Sequence, residues 1–165
     1  MNIEAEVGKI LRKRKMTIAV AESCTGGLIS SRITDVSGSS GYFLMGIVAY
    51  SDKVKENILG VSFRHCEAAK RPRQSQKYDA VSKQVALEMA KGARFLAGTD
   101  IGVGVTGIAG PTGGTEKKPV GLVYIALAMD KKRIVKEFRF KGSRLAIKKQ
   151  ASEAALDLII KCAHL

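Results

Sequence analysis

The residues with chemical potential fall into four short clusters. Ala21-Glu22-Ser23-Cys24-Thr25-Gly26-Gly27 packs hydroxyls and a thiol between an apolar run and a helical pattern. At such a junction the first helical N–H groups lack intrahelical partners and favour negative charge. A nucleophile held there has donors at hand for an oxyanion. The simpler alternative is that Ser23 or Thr25 caps the helix. Tyr50-Ser51-Asp52-Lys53-Val54-Lys55 ends the next apolar run. A lysine in this cluster, relieved of its proton, can act as base for a serine; a solvated lysine at a helix start is the alternative. Thr106-Gly107-Ile108-Ala109-Gly110-Pro111-Thr112-Gly113-Gly114 holds four glycines. They allow a close backbone approach to a ligand, or simply a tight connection. Lys141-Gly142-Ser143-Arg144 opens a helix with backbone donors, a hydroxyl and a guanidinium, a cup suited to an anion.

Other chemistries fit poorly. The two histidines are His65 and His164, and the three cysteines, Cys24, Cys66 and Cys162, are far apart and read as free thiols. A histidine triad, a zinc site or another metal centre is therefore hard to build, and no cofactor is called for. Gly102-Val103-Gly104-Val105-Thr106-Gly107 matches GxGxxG by letter but lies in a strand pattern and is followed by Pro111 rather than a helix, so it is not a dinucleotide fingerprint. P-loop and GxSxG patterns are lacking.

The elements that must position these clusters follow from periodicity. Residues 4–14 read as an amphipathic helix through Val7, Ile10 and Leu11, and Thr17–Ala21 as a buried strand. Leu28–Val36 reads as a helix, Phe43–Tyr50 as a core strand, and Asp52 as the cap of a helix that reaches Leu59 and stops at Gly60. Ser82–Leu96 reads as a helix with Val85, Leu87, Met89 and Phe95 as its apolar positions, closed by Gly98. Strands follow at Ile101–Val105, Val120–Met129 and, as an exposed edge, Arg133–Phe140; a helix over Ser143–Ala163 turns Leu145, Ala151, Leu156 and Ile159 inward. Interleaved helices and strands predict a three-layer α/β/α sandwich around a mixed, mostly parallel sheet of about five strands. The short 129–133 connection is the antiparallel part. If the first strands are parallel neighbours, three clusters share the carboxyl edge where α/β sheets bind ligands.

The 165 residues carry a formal net charge of +13. They fit one domain over 1–165. Residues 130–150 alone hold nine Lys/Arg against two acids, a net +7, and 62–79 hold a further +3. The clusters themselves are nearly neutral, aromatics are sparse, and no nucleic-acid-binding signature is present, so the charge fits a phosphate-bearing small molecule better than nucleic acid, with a merely solvated charged face as the alternative. The amino terminus has early acids and no apolar signal core, and no apolar run reaches the roughly 18 residues that span a bilayer. A cytoplasmic location with no membrane partner is expected.

In order along the chain stand Ala21–Gly27, Gly38-Ser39-Ser40, Tyr50-Ser51 with Lys55, Leu59-Gly60-Val61, Ala80-Val81-Ser82, Thr106–Pro111 with Gly113-Gly114, and Lys118-Pro119-Val120-Gly121. Together they resemble the CinA C-terminal domain family, which includes stand-alone nicotinamide-nucleotide amidases. The resemblance implies hydrolysis of nicotinamide mononucleotide to nicotinate mononucleotide and ammonia, no cofactor, and a homo-oligomer. Carried onto this chain, Ser23 is the nucleophile, Lys55 the base and Tyr50 the third catalytic residue. Lys53 is the competing lysine. Thr25, Gly26, Gly27, Ser39, Ser40, Thr106, Gly107, Gly110 and Arg144 contact the substrate, with Arg144 and the glycine loops at its phosphate. A non-catalytic nucleotide-binding or interaction module of the same fold is the alternative. This chain departs from the family between Ser62 and Ser82, a connection usually shorter, with Tyr78-Asp79 where His-Gly is common. The basic stretch within 62–79 reads as an inserted loop.

Overall fold

The strands alternate large and small side chains, and that alternation builds two unlike faces. The structure is a computed structural model and describes residues 2–63 and 80–163; residues 64–79, most of the expected insertion and with it Tyr78-Asp79, lie outside the described residues. Five helices and five strands follow one another as α1 (Ile3–Arg14), β1 (Ile18–Glu22), α2 (Leu28–Thr34), β2 (Phe43–Val48), α3 (Asp52–Leu59), α4 (Lys83–Ala97), β3 (Ile101–Gly107), β4 (Leu122–Ala128), β5 (Arg133–Arg139) and α5 (Arg144–Ala163). A short 3-10 turn, Ser39–Gly41, precedes β2. The sheet order is β2-β1-β3-β4-β5. β2 and β3 pair with β1 in parallel, and β4 pairs antiparallel with β3 and β5. Four strands thus point the same way, while the pairings divide evenly.

One face of the sheet carries Ile18, Val20, Ile101, Val103, Val105, Val123, Ile125 and Leu127, packed against α1, α2 and α5. The other face is a floor of small residues. The register aligns Ala19 with Gly102 and Ala128, and Ala21 with Gly104 and Ala126. Onto this floor α4 packs through Ala86, Ala90, Met89 and Ala93, with α3 beside it. A Cβ on Gly104 would lie 2.6 Å from the Ala90 amide nitrogen and would collide with the Ala86 carbonyl, and one on Gly102 would meet Arg94 at 2.7 Å. The GxGxxG letters therefore record a helix lying almost on the strand, and the dinucleotide reading fails for that reason. Each large aliphatic buried on the opposite face contributes about 1.5–3 kcal/mol.

Several expectations are corrected. Ser51, not Asp52, caps α3: its hydroxyl accepts from the Val54 amide at 3.3 Å, and Asp52 is the first helical residue. Phe95 is 86% exposed and Leu145 75% exposed, so neither faces inward. The inner side of α4 must fit the alanine–glycine floor and has no room for a phenylalanine ring. Leu145 stands in the first turn of α5, where the neighbouring Arg144 turns to the sheet edge instead. β2 and β4 are shorter than their apolar runs, and β3 continues to Gly107 because Thr106 and Gly107 pair with Tyr124 and Val123. No helix among the described residues is long and apolar enough to cross a membrane.

Candidate active site

Because β1, β2 and β3 run in parallel, the segments that follow them leave the sheet at one edge. Ser23 follows β1, Tyr50 follows β2, and Gly107 ends β3. β5 ends at the same edge, and Gly142, at φ +117°, turns the chain into α5. Between these segments lies a cavity of about 280 Å³ whose wall includes Ser23, Cys24, Tyr50, Lys55, Thr106, Gly107, Gly110 and Arg144.

Ser23 is 8% exposed. Its amide donates to the Val105 carbonyl at 3.0 Å, which pins the turn to β3, and its hydroxyl has no hydrogen-bond partner among the described residues. Lys55 is 2% exposed, and its Nζ donates to Asp52 Oδ1 at 3.2 Å. Helical spacing separates the two candidate lysines: Lys55 turns into the cavity wall, whereas Lys53 is exposed and does not line it. Arg144 donates one bond to the Gly110 carbonyl and one to the Tyr50 hydroxyl, both at 2.8 Å, bridging the third cluster to the end of β2. Thr106 is buried, and its hydroxyl donates to the Ala80 carbonyl at 2.7 Å. That bond holds Ala80 and Val81 in the cavity wall.

The β1–α2 turn differs from the expected open helix terminus. Glu22 is fully buried. Its carboxylate accepts from the amides of Gly27 (3.0 Å), Ile29 (3.1 Å) and Ser30 (2.8 Å) and from the Ser30 hydroxyl (2.7 Å). The first amides of α2 are thus satisfied by this side chain and are not available to an anion; neither Ser23 nor Thr25 caps the helix. What remains are the amides of Cys24 and Thr25, which donate to no other residue among the described ones. Glu22 ends β1 and lies five residues short of α2 in sequence, but the turn folds its carboxylate back onto the helix start, where the helix dipole favours negative charge.

Burial pushes the Cys24 thiol up to about 12, with the Glu22 carboxylate adding to the shift and Arg144 and Lys148 opposing it. At neutral pH this thiol stays protonated and is a poor nucleophile beside Ser23. Thr25 is fully buried with an unpartnered Oγ1 among the described residues, and Gly26 and Gly27 hold left-handed angles of φ +63° and +93°. None of the three lines the cavity; they shape the turn behind it. Ser39 and Ser40 do not line it either. They lie before β2, at the opposite edge of the sheet, roughly 20 Å of strand away. In the fourth cluster, Ser143 spends its oxygen on the Ala146 amide at 3.3 Å, and Arg144 is the cation this cluster brings to the cavity wall. No group of acids, histidines and cysteines able to hold a metal ion occurs among the described residues.

Comparison with known proteins gives the family and the fold relatives of the chain. The family model described as CinA C-terminal domain matches residues 1–163. A CinA-like protein of Geobacter sulfurreducens is 48% identical over 155 residues, covering 94% of this chain and 35% of that protein. The chain thus spans about a third of the length of that curated relative. Among solved structures, the competence/damage inducible protein CihA of Agrobacterium tumefaciens is 34% identical with a TM-score of 0.85, covering 99% of this chain and 96% of the other. A CinA superfamily protein of Klebsiella pneumoniae is 29% identical with a TM-score of 0.86, covering 99% of each.

Proposed function

The chain belongs to the CinA C-terminal domain family, and on that premise we propose that it hydrolyses the carboxamide of nicotinamide mononucleotide to nicotinate mononucleotide and ammonia. The observation that carries this reading is the meeting, in one cavity built from separate segments, of a buried lysine with a serine hydroxyl and a guanidinium that have, among the described residues, no hydrogen-bond partner and no ion pair respectively. Ser23 Oγ attacks the amide carbon while Lys55, in its neutral form, takes the hydroxyl proton. The tetrahedral oxyanion finds a donor in the backbone amide of Cys24, which lines the cavity. Collapse expels ammonia with the proton returned from Lys55, and water then hydrolyses the acyl-serine. Asp52 orients Lys55, and Tyr50 is held over the cavity by Arg144, whose charge matches the substrate phosphate.

The test is ammonia release from nicotinamide mononucleotide by the wild type, Ser23→Ala, Lys55→Ala and Lys53→Ala proteins. The wild type and Lys53→Ala release ammonia at similar rates, and Ser23→Ala and Lys55→Ala fall by at least about a hundredfold, as for loss of a nucleophile or its base. Wild-type release equal to that of Ser23→Ala overturns the reading. Binding of the nucleotide without turnover would then favour a non-catalytic module.

A further inference from the structure

Two segments of the cavity wall belong to no strand or helix: Ala80-Val81, just before α4, and the glycine loop after β3. Ala80-Val81 is held through its main-chain carbonyls. The Thr106 hydroxyl donates to Ala80 and Lys118 Nζ donates to Val81, both at 2.7 Å. Ser82, next in the chain, caps α4, its hydroxyl accepting from the Val85 amide at 3.2 Å. The glycine loop is held differently. A Cβ on Gly110 would collide with the Val120 side chain, and one on Gly114 would stand 2.8 Å from the Val120 amide nitrogen. The loop therefore lies against Val120, two residues after Lys118. The backbone of Lys118 is fixed in the same stretch: the Thr115 amide donates to its carbonyl at 2.8 Å, and its own amide donates to the Thr115 hydroxyl at 3.1 Å. Lys118 thus has its main chain with one wall segment and its ammonium on the other. It does not itself line the cavity.

We propose that Lys118 is a positioning residue: it braces the glycine loop to the Ala80-Val81 segment and so sets the fit of substrate in the cavity. The proposal deepens the amidase reading and rests on it for the kinetic consequence, not for the brace. A half-buried lysine on a surface loop ordinarily extends its ammonium into water. Here the ammonium goes to a main-chain carbonyl, and a bond from a charged donor is stronger than a neutral one. The reacting groups are held by other means. The Ser23 amide is bonded to the Val105 carbonyl, and Lys55 pairs with Asp52. Loss of the brace therefore leaves nucleophile and base in place and loosens the walls that the substrate meets, so its effect falls on KM rather than on kcat.

The experiment compares the wild type, Lys118→Met, Lys118→Arg and Lys117→Met by steady-state ammonia release from nicotinamide mononucleotide and by backbone amide NMR spectra, with thermal melts to show that each variant is folded. Lys117 is the exposed neighbour and controls for net charge. In Lys118→Met, KM rises at least about tenfold, the loss expected for one charge-assisted bond, and kcat stays within about threefold. The amide resonances of residues 80–82 and 107–114 shift together. Lys118→Arg keeps a charged donor and retains the wild-type KM and spectrum, and Lys117→Met changes neither. A merely structural role would lower the amount of active protein, and with it kcat, at constant KM. An unchanged KM, a loss confined to kcat, an equal effect in Lys117→Met, or unmoved resonances at 80–82 overturns the proposal. If the wild type releases no ammonia, the amidase reading falls, and the spectra alone decide the brace: a joint shift of the two segments in Lys118→Met upholds it, and its absence overturns it.

Discussion

Gly104→Ala adds one methyl group where α4 rests on the sheet. Gly104 is in the middle of β3 with Ala21 on one side and Ala126 on the other, so the floor around it is already as low as side chains allow. The new Cβ would stand 2.6 Å from the Ala90 nitrogen and 3.0 Å from Met89 Cβ, and against the Ala86 carbonyl. Relief requires α4 to withdraw by about an ångström over its centre, which opens its packing along the whole floor. Overpacking of this kind costs typically 1–3 kcal/mol, and contact with backbone rather than with a yielding side chain places it near the upper end. Against this stands the entropy that alanine removes from the unfolded chain, about 0.4–1 kcal/mol. The net expectation is a loss of about 2 kcal/mol. For a chain of this size that lowers the melting temperature by roughly 4–8 °C.

Urea unfolding at equilibrium gives the free energy, and scanning calorimetry gives the melting temperature. The sign decides the matter, because backbone entropy alone makes the alanine variant more stable than the wild type. A variant as stable as the wild type, or more so, refutes the close-packed floor. The obstructing atoms are main-chain, so Ala86→Gly in the same protein does not restore stability; full rescue by that second change would locate the clash in a side chain and contradict the geometry.

Two further outcomes follow from the hydrogen-bond pattern. Glu22→Ala strands four donors at the start of α2 and is expected to cost about 3 kcal/mol even after the relief of a buried charge; a urea midpoint within error of the wild type would show that the carboxylate does not hold the turn. Asp100 accepts from the Thr17 amide and hydroxyl, both at 2.8 Å, and chiefly the amide bond holds its carboxyl below the usual aspartate value of 3.8 despite partial burial. Its folded pKa is thus the lower one, so its contribution is present above about pH 4 and is lost as pH falls through the folded value. Asp100→Asn should flatten the decline of stability on the acid side of pH 4, measured as melting temperature against pH. An unchanged acid limb would exclude that linkage.

The edge at which the site forms was legible because it depends on strand direction, and strand direction follows from the alternation of helices with apolar runs. Ser23, Tyr50, Gly107 and Arg144 all lie where that argument puts them. Residue type does not separate Lys53 from Lys55; helix phase puts Lys55 in the cavity wall and Lys53 outside it. Ser39 and Ser40 sit at the wrong end of β2 because a resemblance carries residues by motif, while the cavity gathers them by position. The inward face of α4 differs from its apolar periodicity for one physical reason. Apolar periodicity gives weight to large side chains, whereas a helix pressed on glycine and alanine buries small ones and sends Phe95 outward. The sign of this packing was available in the strands, where Ile-Ala-Val-Ala, Ile-Gly-Val-Gly and Ile-Ala-Leu-Ala repeat the same large–small order.

The positive charge takes on a divided meaning once the strands are ordered. β5 is an edge, and Arg133, Lys136 and Arg139 are exposed along it. Charged side chains on an edge strand oppose its pairing with another chain, so these cations protect a surface and need no ligand. Arg144 and Lys148 belong to the same basic stretch of sequence but to a different problem. The turn at Gly142 carries the chain from the guarded edge to the cavity, where Arg144 bonds the Gly110 carbonyl after β3, while Lys148 approaches Gly26 in the turn after β1. A net charge summed over 130–150 joins two functions that the fold separates within a dozen residues. For that reason neutralising Arg133 or Lys136 and neutralising Arg144 are different experiments, although each removes one charge from the same total.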